Sequence, residues 1–169
     1  MSPVTGPAAA EIGVVPLSWQ EGANIVVGQS HFIKTVEDIA EIIAGTVPGA
    51  KYGLAFCEAS GPCLVRTEGN DPALVADAVR CAQAVAAGHT FFLVMENAYP
   101  INVLTQIKAC PEVCRIFCAT ANPLQCLVGG TAQGKGILGV IDGSSPKGVE
   151  GPADKADRKA MLREFGYKF

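Results

Sequence analysis

The run TFFLVM, residues 90 to 95, presents apolar side chains to both faces of any strand it forms. Alternate residues of a strand point to opposite sides, so a half-buried strand shows a period of two, and a run without that period needs cover on both faces. A strand of this kind belongs in the middle of a layered structure. Around it lie seven more runs with strand character, at 12–19, 23–28, 51–57, 63–67, 113–118, 124–128 and 137–141.

Helical segments separate these runs. The first carries Thr35 and Asp38 as a variant capping box, with Val36, Ile39, Ala40, Ile43 and Val47 on one face before "VPG" ends it. The second opens with Asp71 as N-cap and Pro72 at the first helical position, buries Leu74, Val75, Ala78, Val79, Ala82 and Val85, and stops at Gly88. A third begins at Pro100 and buries Val103, Leu104 and Ile107 before Pro111; a fourth begins near Pro152 and closes at Gly166. Lys159 and Arg163 suit the negative end of that last helix. Strands interleaved with helices predict an α/β chain shading into α+β, with a mixed β-sheet flanked by helices in three layers. No linker or repeat divides it, so residues 11–169 are read as a single domain behind a flexible tail at 1–10.

Composition narrows the function classes. A net charge of −3 without a Lys/Arg cluster leaves no electrostatic footprint for nucleic acid. No apolar stretch reaches the ~20 residues of a membrane span, and the first residues lack the basic start and apolar run of a secretory signal. Seven cysteines, an odd number set in apolar runs, predict free buried thiols in a reducing cytosol. The spacing C-x3-C-x3-C at Cys110, Cys114 and Cys118 lacks the second ligand pair of a zinc site. An apolar share of 49% against 17% charged residues predicts a homo-oligomer.

The stretch LVGGTAQGKGILGVIDG, residues 127 to 143, carries two partial nucleotide motifs, Gly129-x4-Gly134-Lys135 and Gly134-x-Gly136-x2-Gly139. Both patterns hold phosphate only where the glycine turn opens a helix. Here the glycines run into the strand-like ILGVI, and Gly136 stands where a Ser or Thr would help hold magnesium. A hairpin with its tip at Thr131–Gly136 is the expectation instead.

Ligands of open α/β sheets collect beyond the carboxyl ends of strands, which directs attention to four polar exits. Gln29, Ser30 and His31 precede the first helix, where a phosphate would be favoured or where the side chains simply bond a turn. Glu58, with Ser60 close behind, leaves an apolar strand and is a candidate base or metal ligand with a raised pKa, or else an exposed carboxylate at a strand end. Asn97 follows the central strand. Thr120 and Asn122 of "ATANP" could meet a base edge or form an Asx turn, and Asp142 could meet a magnesium ion or start a turn. His89 is read as a structural histidine.

In order, the segments "IVVGQSHFIKTVEDIAE", "GLAFCEASGPCLVR", "GNDPALVADAV", "AGHTFFLVMENAYPINVLTQIK", "PEVCRIFCATANP" and "QGKGILGVIDGSSPKGVE" resemble the adenosine-specific kinase family, small proteins abundant in archaea. The resemblance runs from about residue 11 onward. It implies a cytoplasmic homo-oligomer, with a trimer expected, that binds adenosine or AMP and transfers a phosphoryl group from ATP to adenosine with Mg2+. On that reading Glu58 and Asp142 are the candidates for base and metal, Lys135 and Arg115 for phosphate, and Gln29, Ser30, His31, Ser60, Asn97, Thr120 and Asn122 for the nucleoside. A binding module that senses adenosine or AMP without turnover, and an oligomeric scaffold, are the alternatives.

Overall fold

The computed structural model describes residues 9–169. Apart from Ala9 and Ala10, the tail expected at 1–10 lies outside the described residues. Twelve elements follow in order: β1 (Glu11–Leu17), β2 (Asn24–Ser30), α1 (Thr35–Thr46), β3 (Lys51–Cys57), β4 (Val65–Gly69), α2 (Pro72–Val85), β5 (Thr90–Glu96), α3 (Pro100–Ala109), β6 (Val113–Thr120), β7 (Leu124–Gly130), β8 (Lys135–Asp142) and α4 (Pro152–Glu164). All eight strand-like runs of the sequence are strands, and all four helices are present.

Five strands form a sheet in the order β4-β3-β5-β2-β6, and three form a second in the order β1-β7-β8. The apolar run at 90–95 is the central strand of the larger sheet, as its double-sided character requires, and Phe91 through Met95 are all fully buried. One face of this sheet packs Val26, Leu54, Phe56, Phe91 and Leu93 against Ile39 and Ile43 of α1 and Val103 and Ile107 of α3. The other packs Ile25, Val27, Ala55, Phe92 and Val94 against α2 and the inner face of the small sheet, with Leu124, Cys126 and Val128 supplied by β7. The three expected layers are therefore present. The strand pairings are all antiparallel, so the chain leans to the α+β side of the expectation. A doubly apolar strand reports two covered faces and says nothing about the direction of its neighbours.

Local chemistry explains the elements. Asp71 caps α2 by accepting from the backbone N–H groups of Ala73 (3.0 Å) and Leu74 (3.2 Å), with Pro72 in the first turn. The helix ends at Val85 on a left-handed Ala86, three residues before the expected Gly88. α1 lacks the expected capping box. Its N-cap is Lys34, Thr35 Oγ1 donates to Ser30 Oγ (2.6 Å), and Asp38 pairs with Lys34. The glycine-rich stretch forms the expected hairpin, closed by Thr131 N–H donating to the Gly134 carbonyl (2.9 Å). No helix follows it, which removes both phosphate-loop patterns.

All seven cysteines are free. Burial lifts the thiols of Cys81 and Cys126 to about 11 and that of Cys118 to about 12. The expectation of uniformly buried thiols fails at Cys63 and Cys114, which are exposed: one sits in the β3–β4 loop, the other on edge strand β6. No helix among the described residues is long and apolar enough to cross a membrane.

Candidate active site

Antiparallel pairing sorts the polar strand exits to two opposite ends. β2 and β3 both run against β5, so their last residues meet the start of β5: Gln29 is paired with Thr90, and Phe56 with Phe91. β6 begins at this end, where Val113 pairs with Ser30 and Arg115 with Gln29. The tip of the β7–β8 hairpin reaches the same place through a bridge between Lys135 and Ala87. At the other end lie Asn97, Thr120, Asn122 and Asp142, since Ile25 pairs with Thr120 and Leu124 with Asp142. A seven-residue strand spans roughly 20 Å, so the two groups are separate.

The first end holds a cleft. A cavity of about 560 Å³ lies between the β3–β4 loop (Glu58, Ala59, Cys63), the α2–β5 turn (Ala86, Gly88) and the hairpin tip (Thr131, Gln133, Lys135). Glu58 and Ala59 also line a second lobe of about 210 Å³ with His31, Ser60 and His89. Small side chains make the wall thin: a Cβ on Gly88 would stand only 3.0 Å from that of Ala59. Among the described residues four other than glycine have left-handed backbone, and three of them, Cys63 (φ 51°), Ala86 (φ 53°) and His89 (φ 62°), line this cleft. Such conformations cost about 1–3 kcal/mol each and persist where the surroundings enforce them.

Hydrogen bonds hold the cleft in shape. The Glu58 N–H donates to the Leu64 carbonyl (3.0 Å) across the loop, and the Leu64 N–H donates in return to Glu58 Oε2 (2.8 Å). Arg66 Nη2 meets Glu58 Oε1 at 2.7 Å. The Arg66 guanidinium and the Leu64 N–H therefore hold the Glu58 carboxyl below its ordinary value, opposite to the raised pKa expected from burial. Glu58 is an anion at neutral pH. His89 donates its N–H to the Cys57 carbonyl (2.7 Å), returns its own carbonyl to Ser30 N–H (2.9 Å), and stacks on Phe56 with ring centroids 5.9 Å apart. His31 and Phe32 lie nearly parallel at 6.4 Å on the opposite wall.

Several expected participants have other duties. Ser30 is fully buried and bonded to Thr35, which is the turn reading rather than the ligand reading. The first amides of α1 are already satisfied, with Thr35, Val36, Glu37 and Asp38 donating to the Phe32, Ile33 and Lys34 carbonyls, so this helix end offers no free N–H groups to a phosphate. Thr120 Oγ1 donates to Asp142 Oδ1 (2.7 Å), Asn122 Nδ2 to the same oxygen (3.1 Å), and Asn122 N–H to Thr120 Oγ1 (2.9 Å). These three residues tie the β6–β7 turn to the end of β8. Asp142 therefore stands at the end of β8 remote from Lys135 and the cleft, and within one chain it cannot share a metal ion with Glu58. Among the described residues no cluster of three or more His, Cys, Asp or Glu is spaced to hold a metal. Gln29 sits between Thr90 and Arg115 at the cleft end, with Arg115 exposed on the edge strand. Asn97 lies beyond the far end of β5.

His89 was missed as a cleft residue. Its signal was the segment "GHT" at the start of the central strand, which is informative only once β5 is known to run against its neighbours.

Residues 15–168 match the family described as adenosine specific kinase. Five chains of solved structures match. One is the PH1918 protein from Pyrococcus horikoshii OT3, at 40% identity with a TM-score of 0.91, covering 95% of this chain and 99% of that one. No curated protein matches. With nearly its whole length matched and a close structural relative, the chain belongs to the adenosine-specific kinase family.

Proposed function

We propose that the cleft bounded by Glu58, His89 and the hairpin tip binds adenosine and an adenine nucleotide, and that the protein transfers a phosphoryl group from ATP to adenosine, giving AMP and ADP. The observation that carries this reading is that Glu58, a fixed anion, is shared by two adjoining cavities, the larger of which carries Lys135 and the smaller two imidazoles, in a chain whose family is named for this activity.

The donor set suits nucleotide-borne magnesium. Mg2+ keeps much of its coordination on phosphate and water and takes one or two carboxylates from a protein; bound with ATP it would neutralise charge on the transferred phosphoryl. Glu58 is the single carboxylate in the cleft, placed to accept from a ribose hydroxyl or to take one position on such a metal. Lys135, flanked by Gly134 and Gly136, can close over a phosphate from the hairpin tip. His31, Ser60 and His89 line the smaller lobe and supply polar contacts for the nucleoside. Arg115, Gln29 and the buried Ser30 support this end of the sheet from below.

One observation favours a binder without turnover: Arg66 pairs with Glu58 and holds its carboxyl pKa down, which suits a fixed acceptor better than a general base. Glu58→Gln keeps the shape and removes the charge. On the kinase reading it abolishes ATP-dependent formation of AMP while adenosine binding, followed by calorimetry, survives. Absence of any product from the parent protein with adenosine, ATP and magnesium, together with intact adenosine binding, would replace the kinase reading by the binder.

A further inference from the structure

β4 is an edge strand, paired on one side with β3 and, among the described residues, with no strand on the other. Two bonds at the ends of this ladder, Glu58 N–H to the Leu64 carbonyl and Asn70 N–H to the Tyr52 carbonyl, fix which residues face which way. Bonded and unbonded pairs alternate along antiparallel strands, so between those ends Phe56–Arg66 and Leu54–Glu68 exchange the ladder bonds. The N–H and C=O groups of Val65 and Thr67 therefore point outward, away from β3. They form a short row of alternating donors and acceptors that the sheet leaves unpaired.

A groove of about 640 Å³ lies along this edge, between β4 and the β2–α1 turn. Its apolar floor comes from Phe32, Ile33 and Leu64, with Phe32 51% and Leu64 50% exposed. Val65 meets the groove with its backbone, because its side chain packs into the core on the α2 side of the sheet. The charges of the groove disfavour phosphate. Lys34 is paired with Asp38 and Arg66 with Glu58, whereas Glu37 and Glu68 have no ion-pair partner among the described residues. A ligand suited to these walls is flat and uncharged with donors and acceptors along its edge, and any anionic part of it lies outside the groove.

The groove opens onto the candidate site. Phe32 and Ile33 line both the groove and the smaller lobe of the cleft, and the ion pair of Arg66 with Glu58 joins the groove wall to the cleft wall. Transfer between two adenine-bearing molecules needs a place for each base, and the smaller lobe, at about 210 Å³, cannot house two. Resting on the reading of the cleft as a site of phosphoryl transfer, we infer that the groove is the subsite for the adenine ring of the nucleotide donor. The ring stacks on Phe32 and Leu64 and pairs its edge with the outward N–H and C=O groups of Val65 and Thr67. Adenine carries an amino donor beside a ring-nitrogen acceptor, the complement of a strand edge on which carbonyls and N–H groups alternate. The phosphates leave the groove past Arg66 into the cleft, away from Glu37 and Glu68.

Calorimetry on the full-length protein tests this with three probes: adenosine, the magnesium complex of the non-hydrolysable analogue β,γ-imido-ATP, and inorganic tripolyphosphate. The analogue is expected to bind protein already saturated with adenosine. Thr67→Pro removes one outward N–H and no ladder bond, a change that edge strands accept. Leu64→Ala removes part of the apolar floor and keeps the backbone N–H that Glu58 accepts. Both variants are expected to keep the parent's circular dichroism and adenosine affinity. Each should weaken the analogue by about fivefold to tenfold, in proportion to one hydrogen bond or one apolar contact, and leave tripolyphosphate, which has no base, bound as in the parent. Thr67→Ala, which retains the N–H, should bind the analogue as the parent does. Competition between analogue and adenosine for one place, parent-like analogue affinity in Thr67→Pro and Leu64→Ala, or an equal loss of tripolyphosphate overturns the inference and leaves adenosine binding in the cleft standing. The expected losses of analogue affinity in a protein that never binds adenosine would keep the groove subsite and remove the kinase reading.

Discussion

Two carboxylates sit within a few residues of the candidate site, and their surroundings drive them in opposite directions. Glu58 leaves a strand and meets Arg66; that arginine pairs in register with Phe56 across the β3–β4 hairpin, so the neutralising partner was hidden in the pairing rather than in the local sequence. Glu112 is buried to 3% exposure, and its Oε1 has no hydrogen-bond partner among the described residues. Burial raises its pKa first, and the carboxyl of Asp38, itself kept anionic by Lys34, raises it further. A raised folded pKa means that the folded state holds the proton more tightly than the unfolded chain does. Glu112 therefore contributes stability below the ordinary carboxylate value near 4.5, and that contribution is lost as pH rises toward the folded pKa. Glu112→Gln, which keeps the shape without the charge, is expected to melt higher than the parent at pH 7 and to lose that advantage near pH 4. A melting series from pH 4 to 8 reads this directly, and a gain that is constant with pH would show that Glu112 is not the titrating group. Lys135 gives the complementary test at the surface: Lys135→Ala should change stability by no more than about 0.5 kcal/mol. It should also weaken ATP or AMP binding about tenfold, on the order of 1.4 kcal/mol, for one lost charge-assisted contact. Unchanged nucleotide affinity in that variant would reduce the hairpin tip to a turn.

At the scale of elements, what the sequence showed best was what proline and aspartate enforce. Asp71-Pro72, Pro100 and Pro152 set the starts of α2, α3 and α4, since a fixed φ and a missing N–H suit the first helical turn. The start of α1 was misread because the Thr35 hydroxyl turns back to Ser30, a partner outside the helix. The sequence showed which faces are covered, but not how closely the elements approach. α2 lies so close to β3 that a Cβ on Gly53 would stand 2.1 Å from the Val75 nitrogen and 2.3 Å from the Leu74 carbonyl oxygen. Helix backbone cannot yield as a side chain would, so Gly53→Ala should cost about 3 kcal/mol or prevent folding, at the upper end of overpacking effects. Chemical denaturation measures it; a cost under about 1 kcal/mol would mean that α2 rides freely on the sheet. The "ATANP" turn shows the same limit from another side. Its polar residues looked like a ligand edge because the partner that satisfies them, Asp142, lies 20 residues on from Asn122. Asp142→Ala should lower stability by about 1–2 kcal/mol through two lost hydrogen bonds while leaving adenosine affinity alone. A loss of affinity without loss of stability would return Asp142 to the site.

For the whole molecule, strand direction decided which sequence clues belonged together. A parallel sheet would have brought the exits at 29–31, 58–60, 97 and 120–122 to one edge; the antiparallel order sends the first two to the cleft and the last two to the opposite end. The site is consequently assembled from the β2–α1 turn, the β3–β4 loop, the α2–β5 turn and the β7–β8 hairpin, segments that are brought together only by folding. A ligand seated among them binds the folded chain and not the unfolded one, so it must raise the melting temperature by mass action. At a hundredfold excess over its dissociation constant the stabilisation is about 2.7 kcal/mol. For a chain of this size each kcal/mol corresponds to about 2–4 °C, so adenosine or AMP should shift melting by roughly 5–10 °C. Guanosine and cytidine, with a different pattern of donors and acceptors on the base edge, should shift it little. The same experiment on Asp142→Ala and Glu58→Gln separates the two ends of the molecule. The first variant starts lower and gains the full shift with adenosine, because its defect is remote from the ligand. The second starts near the parent and gains the adenosine shift only to the extent that its amide replaces the carboxylate as an acceptor, so a large drop in that shift assigns Glu58 to nucleoside binding as well as to transfer. Equal shifts with every nucleoside would take base recognition away from this cleft and leave it a phosphate or ribose site.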